Sequence, residues 1–243
     1  MGKDVIVACD FDRASELFDF LDLFQEKKPF IKIGMELYNE EGSFIVRELK
    51  RRGHKIFLDL KIHDIPNTVR KTMMVLSRME IDICDVHASG GIRMMEAALE
   101  GITRLDGKRP LLIGVTQLTS TDQDMLEEEL LIRMPMDKVV MHYANNVKRA
   151  GLDGIVCSPR EAADIKKKLG KRFITVTPGI RFADSEIGDQ RRIMTPEQAK
   201  ETGSDYIVVG RPITQAKDPI AAYNRCCEEF IDKPKKKKTK SSK

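Results

Sequence analysis

Eight short runs of apolar, largely β-branched residues recur along the chain with helical stretches between them, and this repeat constrains the fold most. The runs lie near 5–10 (VIVACD), 30–35 (FIKIGM), 55–61 (KIFLDLK), 82–88 (DICDVHA), 111–117 (LLIGVTQ), 154–158 (GIVCS), 173–178 (FITVTP) and 206–210 (YIVVG). Continuous apolar character suits strands covered on both faces, and neighbouring parallel strands need a crossover such as a helix. Helix starts are well marked. Ser158-Pro159-Arg160-Glu161 and Thr195-Pro196-Glu197-Gln198 read as capping boxes with proline at the first helical position, and Asp218-Pro219 as an N-cap followed by proline. Eight strand–helix units predict an α/β chain of the (β/α)8 TIM-barrel type, parallel and eight-stranded, filling residues 1–232. A doubly wound sheet is the alternative, but no Gly-x-Gly-x-x-Gly turn follows the first run.

A barrel places its chemistry at the C-terminal ends of the strands. Asp10, Lys32 to Gly34, Asp59 to Lys61, His87, Thr116 to Thr119, Pro178 to Arg181 and Gly210-Arg211 all fall there. The densest stretch is 59–68, Asp-Leu-Lys-Ile-His-Asp-Ile-Pro-Asn-Thr, with Asp59 and Asp64 on either side of Lys61. Strand side chains alternate, so Asp59 and Lys61 share one face while Leu58, Leu60 and Ile62 take the other. Burying an acid and an ammonium together costs desolvation unless they pair or face a wet cleft. A charged network at a pocket mouth is therefore expected, with Lys32 extending it to Asp10 or Asp59; a purely structural salt-bridge cluster is the alternative.

Gly210-Arg211 after the eighth run and Pro178-Gly179-Ile180-Arg181 after the seventh fit a phosphate grip, since guanidinium pairs well with phosphate oxygens. Between Arg181 and Met194 runs a long polar connection of the kind that forms lids, in which Gln190 could reach a phosphate; an idle surface loop is the alternative. The four histidines show no metal-ligand spacing, and His63 reads as a packing or supporting residue. Methionine pairs 73–74 and 94–95 read as core filler on helices.

The net charge of +4 misleads. Seven lysines and no acid lie in residues 233–243, so the preceding 232 residues carry −3. That mildly acidic body gives no sign of a nucleic-acid-binding face, and the basic segment reads as a disordered tail. Five cysteines, an odd number without zinc-like spacing, are expected as reduced, buried thiols. With no apolar run near the ~18 residues of a membrane span and no signal-peptide core, a cytoplasmic protein without membrane contact is expected.

The segment at 59–68, taken with Ile33-Gly34-Met35-Glu36, Gly114 to Ser120, Thr177 to Arg181 and Val208 to Arg211 in that order, resembles the bacterial-type orotidine 5′-monophosphate decarboxylases. The likeness extends over about residues 4–230. It implies a (β/α)8 barrel acting as a homodimer with shared active sites, no metal and no organic cofactor, and orotidine 5′-monophosphate as substrate. By that resemblance Lys61 is the proton donor, Asp59 lies by the scissile carboxylate and Lys32 completes the charged chain. Asp64 and Thr68 reach into the partner's site. Asp10 binds ribose hydroxyls with Lys32, Thr119 lies by the pyrimidine, and Arg181, Gln190, Gly210 and Arg211 hold phosphate. The nearest rival is a magnesium-dependent sugar-phosphate decarboxylase or aldolase on a related barrel, whose metal would want a carboxylate where Lys32 stands. Phosphosugar isomerases and a noncatalytic nucleotide- or nucleic-acid-binding protein are further alternatives.

Overall fold

The computed structural model describes residues 3–183 and 194–231. Eight parallel strands close into a barrel in chain order: β1 Asp4–Ala8, β2 Phe30–Ile33, β3 Ile56–Ile62, β4 Ile83–His87, β5 Leu111–Val115, β6 Gly154–Val156, β7 Ile174–Thr177 and β8 Tyr206–Val209. Pairing of Asp4 with Tyr206 and Val7 with Val209 shuts the ring. The predicted (β/α)8 barrel is the fold observed.

Alternation along the strands explains why both faces had to be apolar. Ile6, Phe30, Phe57, Ile83, Ile113 and Val176 fill the barrel interior. Their neighbours Val5, Val7, Ile31, Leu58, Cys84 and Leu112 turn outward into a second core under the helices. Phe57, essentially buried, contributes roughly 2–3 kcal/mol of transfer free energy to the inner core.

The helices that form this outer layer are α1 Ala14–Asp22, α2 Met35–Glu41, α3 Ser43–Arg51, α4 Pro66–Leu76, α5 Gly91–Ile102, α6 Met136–Arg149, α7 Pro159–Leu169, α8 Pro196–Glu201, α9 Arg211–Thr214 and α10 Pro219–Phe230. The starts of α7, α8 and α10 follow the predicted capping chemistry. Thr195 Oγ1 accepts the Gln198 N–H at 3.2 Å while Gln198 returns its side-chain oxygen to the Thr195 N–H at 3.0 Å. Glu161 accepts from the Ser158 N–H at 2.8 Å, and Asp218 from the Ala221 N–H at 2.9 Å. Two expectations are revised. The sixth strand stops at Val156, because Ser158 is spent as the N-cap of α7. Met73, Met94 and Met95 are core residues, but Met74 is 40% exposed, one step round the helix from the apolar stripe. All five cysteines are free thiols, four of them buried.

At the N-terminal end of the barrel a device repeats on alternate strands. Asp82, Asp153 and Asp205 each stand just before a strand and accept an N–H from the start of the preceding one, Ile56, Leu112 and Thr175, each at 2.8 Å. Each also takes a cation: Lys50 at 3.0 Å on Asp82, Arg109 at 2.9 Å on Asp153, and Lys166 on Asp205.

Candidate active site

The opposite, C-terminal end gathers the polar residues. On β3 the sequence Ile-Phe-Leu-Asp-Leu-Lys-Ile sends Phe57, Asp59 and Lys61 inward while Leu58, Leu60 and Ile62 join the outer core. Lys61 Nζ donates to Asp59 Oδ1 at 2.5 Å. On the other side of the same carboxylate, Lys32 Nζ at the end of β2 lies 3.4 Å from Asp59 Oδ2. Lys32 also donates to Asp10 Oδ1, just past β1, at 2.9 Å. Asp10, Lys32, Asp59 and Lys61 thus form one chain of alternating charge across three adjacent strands. Gly34 makes room for it: a Cβ there would lie 3.2 Å from Lys32 Nζ and 3.3 Å from Asp10 Oδ1.

Burial sharpens these interactions. Asp10 is exposed, whereas the Lys32 and Asp59 side chains are only 11% and 10% exposed. Burial works against the Lys32 ammonium, but the Asp59 and Asp10 carboxylates outweigh it and raise its pKa. Burial likewise opposes ionisation of Asp59, yet Lys32, the neighbouring Asp85 carboxyl and Lys61 together hold it below the usual carboxylate range. Both groups are therefore charged at neutral pH.

The chain borders a cavity of about 160 Å³ lined by Lys32, Phe57, Asp59, Lys61, Thr119 and Pro178, among others. Charge at one side and apolar floor at the other suit a flat polar ring with an anionic substituent. His87, half-buried at the end of β4, stands beside His63 with ring centroids 5.7 Å apart. Burial, His63 and Lys61 lower its pKa, so its imidazole is neutral near pH 7.

Arg181 follows β7 and is buried, its Nη1 donating to the Ile180 carbonyl at 2.8 Å. Burial and the neighbouring Arg211 charge both lower its pKa, which places the two guanidiniums within electrostatic reach of each other. Gly210 precedes Arg211 at the start of α9. The connection after Arg181 leaves and returns at one point: Arg181 N–H donates to Met194 O at 3.0 Å and Met194 N–H to Gly179 O at 3.3 Å. Gln190, with residues 184–193 of the expected lid, lies outside the described residues.

Two expected residues stand apart from this centre. Asp64, on the segment leading into α4, and Thr68, in the first turn of α4, are both exposed, and Asp64 Oδ1 accepts from the Ile65 N–H at 2.6 Å. Among the described residues no ion pair joins Asp64 to Lys61, so the expected acid–lysine–acid group is, within one chain, an Asp59–Lys61 pair. Asp85 on β4 was missed by sequence reading. It is 1% exposed, and its Oδ1 accepts the Lys61 backbone N–H at 2.8 Å. Its signal was an acid inside the apolar run DICDVHA, two residues after inward-facing Ile83.

A closed parallel barrel with a buried carboxylate–ammonium chain at its strand ends and two arginines after its last strands defines a (β/α)8-barrel enzyme with a charged mouth. Comparison with known proteins narrows the class. The family model described as "Orotidine 5'-phosphate decarboxylase / HUMPS family" matches residues 3–226. The orotidine 5'-phosphate decarboxylase of Geobacillus sp. (strain WCH70) is 52% identical over 239 residues, covering 97% of this chain and 100% of that relative. The Bacillus caldolyticus orotidine 5'-phosphate decarboxylase is 54% identical, covering 95% of this chain and 96% of its own length. The crystal structure of the Lactobacillus acidophilus orotidine 5'-phosphate decarboxylase superposes with a TM-score of 0.83 at 41% identity, over 94% of this chain and 99% of that one. The chain belongs to the orotidine 5'-phosphate decarboxylase / HUMPS family.

Proposed function

We propose that this chain is a carboxy-lyase that converts orotidine 5′-monophosphate to uridine 5′-monophosphate and CO2 in pyrimidine biosynthesis. The observation that carries the reading is the Lys61 ammonium, 2.5 Å from Asp59 at the edge of the cavity. In the reaction the bond from ring carbon 6 to the carboxylate breaks and its electron pair stays on carbon 6. That pair lies in the ring plane, where the π system delocalises it poorly, so fixed charge must stabilise it. A held ammonium in a water-poor pocket does so far better than one in bulk water. Lys61 then gives its proton to carbon 6, and the resulting amine regains one from solvent.

Asp59 stands by the scissile carboxylate and orients Lys61. Lys32 fixes Asp59 and, with Asp10, meets the ribose hydroxyls. Thr119 faces the pyrimidine. Arg181, Gln190, Gly210 and Arg211 hold the phosphate, whose remote binding energy closes the site over the ring. Asp64 and Thr68 serve the neighbouring subunit of a homodimer. Their exposure, with Ile65 between them 67% exposed, supports that assignment. Free thiols support a reducing, cytoplasmic setting, with residues 233–243 as a basic appendage to the catalytic barrel. No helix among the described residues is long and apolar enough to cross a membrane.

The magnesium-dependent rival loses ground at Lys32. Its Nζ already stands between Asp10 and Asp59 as the cation of that site, where a divalent ion would meet repulsion. An ultraviolet assay with orotidine 5′-monophosphate, run with and without a chelator, tests the proposal. Turnover that survives chelation and disappears in Lys61→Ala is expected. Absence of turnover in the wild type, or dependence on added metal, would overturn it.

A further inference from the structure

We infer that Asp85 is a positioning residue for Lys61: by accepting the Lys61 backbone N–H, it holds the left-handed kink that sets the ammonium against Asp59. The inference rests on Lys61 being the proton donor proposed above.

The pairing of β3 with β4 slips in front of Asp85. Leu58 is opposite Cys84 and Ile62 opposite Val86, so four residue steps on β3 are matched by two on β4. Asp59, Leu60 and Lys61 occupy the resulting bulge. Lys61 has φ +48°, a conformation that costs a residue with a Cβ on the order of 1 kcal/mol or more. Such a conformation persists when its surroundings over-determine it. In the slipped region the ladder no longer pairs residue for residue, and a buried N–H without an acceptor costs about 1–3 kcal/mol. Asp85 supplies the acceptor: Oδ1 takes the Lys61 N–H at 2.8 Å from a side chain only 1% exposed.

The second oxygen explains why this group is unusual. Among the described residues, Asp85 Oδ2 is buried with no cation or N–H donor beside it, and the carboxyl's remaining polar neighbour is Asp59, with which it shares a hydrogen bond. An ionised carboxylate so placed, beside Asp59, would be costly. Burial first, and then the Asp59 charge, push the Asp85 carboxyl well above the ordinary range. Of the two acids, Asp59 has Lys32 and Lys61 at its oxygens and keeps the charge; Asp85 keeps the proton. The groups facing Asp85 are Asp59 and Lys61 from β3, with His87 two residues further along β4 itself. A neutral carboxyl suffices for the role, because only the acceptor at Oδ1 acts on Lys61.

Two substitutions separate the acceptor from the carboxyl. Asp85→Asn keeps an oxygen acceptor without an acid, and Asp85→Val removes the acceptor at similar branching. Asp85→Val is expected to lower kcat roughly 10- to 100-fold, the scale of a misplaced catalytic group, with KM for orotidine 5′-monophosphate changed less than about threefold. Asp85→Asn should restore kcat to within about threefold of wild type with an unshifted pH profile. Crystal structures of both variants supply a readout independent of turnover. Lys61 should keep a positive φ in Asp85→Asn, and in Asp85→Val it should relax to negative φ with Nζ leaving Asp59 Oδ1. Should Asp85→Val fail to fold, Asp85→Ser, whose hydroxyl is too short to reach the same N–H, takes its place with the same expectations. A folded acceptor-free variant with wild-type kcat, or an unchanged Lys61 backbone in its crystal structure, overturns the inference. So does an Asp85→Asn variant as impaired as Asp85→Val. If the wild type itself lacks decarboxylase activity, the proposed function fails, while the Lys61 backbone still decides the positioning claim.

Discussion

Replacing Lys32 with methionine removes the middle cation of the buried charge chain while retaining most of its apolar stem. The lost ammonium lies 2.9 Å from Asp10 Oδ1 and 3.4 Å from Asp59 Oδ2, on a side chain 11% exposed. Removing one member of a buried ion pair costs about 3–5 kcal/mol when its partner is stranded. Asp59 is not wholly stranded, since Lys61 remains 2.5 Å from Oδ1, and Asp10, 58% exposed, regains water. The expected loss falls below that range, about 2 kcal/mol near pH 7. For a chain of this size that is roughly 4–8 °C in Tm. Linkage fixes how the loss varies with pH. Lys32 is the largest of the charges holding the Asp59 pKa down, so its contribution is fully present above the unfolded carboxyl's pKa. It disappears as the pH falls through the lower folded value. The stability gap between wild type and Lys32→Met should therefore be steady near neutrality and shrink below pH about 4. Urea unfolding at one protein concentration across that range measures it. A variant as stable as wild type at pH 7, or a gap that widens in acid, would refute the reasoning.

Arg211→Ala should raise KM and cost about 2–4 kcal/mol of transition-state stabilisation, a roughly 30- to 1,000-fold fall in kcat/KM; unchanged steady-state kinetics would exclude it from the phosphate site. Mixing Lys61→Ala with Asp64→Ala subunits, each inactive alone, should recover about a quarter of wild-type activity, because half the dimers are mixed and one of their two sites is intact. No recovery despite exchange shown by mass spectrometry would leave Asp64 serving its own chain. Gly101→Ala should destabilise by about 1–3 kcal/mol, read by calorimetry, because its Cβ would lie 2.2 Å from the Arg70 carbonyl oxygen and force α5 away from α4.

The barrel was legible because each strand is apolar on both faces and because α7, α8 and α10 announce their starts with Ser158, Thr195 and Asp218. Alternation alone also brought Asp59 and Lys61 to one face. What local pattern could not convey was anything set by slippage between strands. The register shift opposite Asp85 and the left-handed backbone of Lys61 depend on β3 and β4 being paired, a relation that no single segment encodes. Asp85 was hidden for the same reason: its partner is a backbone N–H 24 residues away in sequence. Asp64 was legible from local pattern as an acid near Lys61, while its direction away from Lys61 was implied only by the family resemblance. The chain turns at Ile65 into the Pro66 helix start, and this carries Asp64 out to the surface.

The aspartates Asp82, Asp153 and Asp205 tie neighbouring staves together at the end of the barrel farthest from Lys61. Anchorage and reactivity are thereby divided between two rims of one object. The lower rim dictates which residue stands opposite which, so the upper rim can be recut, residue by residue, with the hoop beneath it intact. A scaffold partitioned in this way tolerates change where chemistry is chosen and resists it where shape is kept.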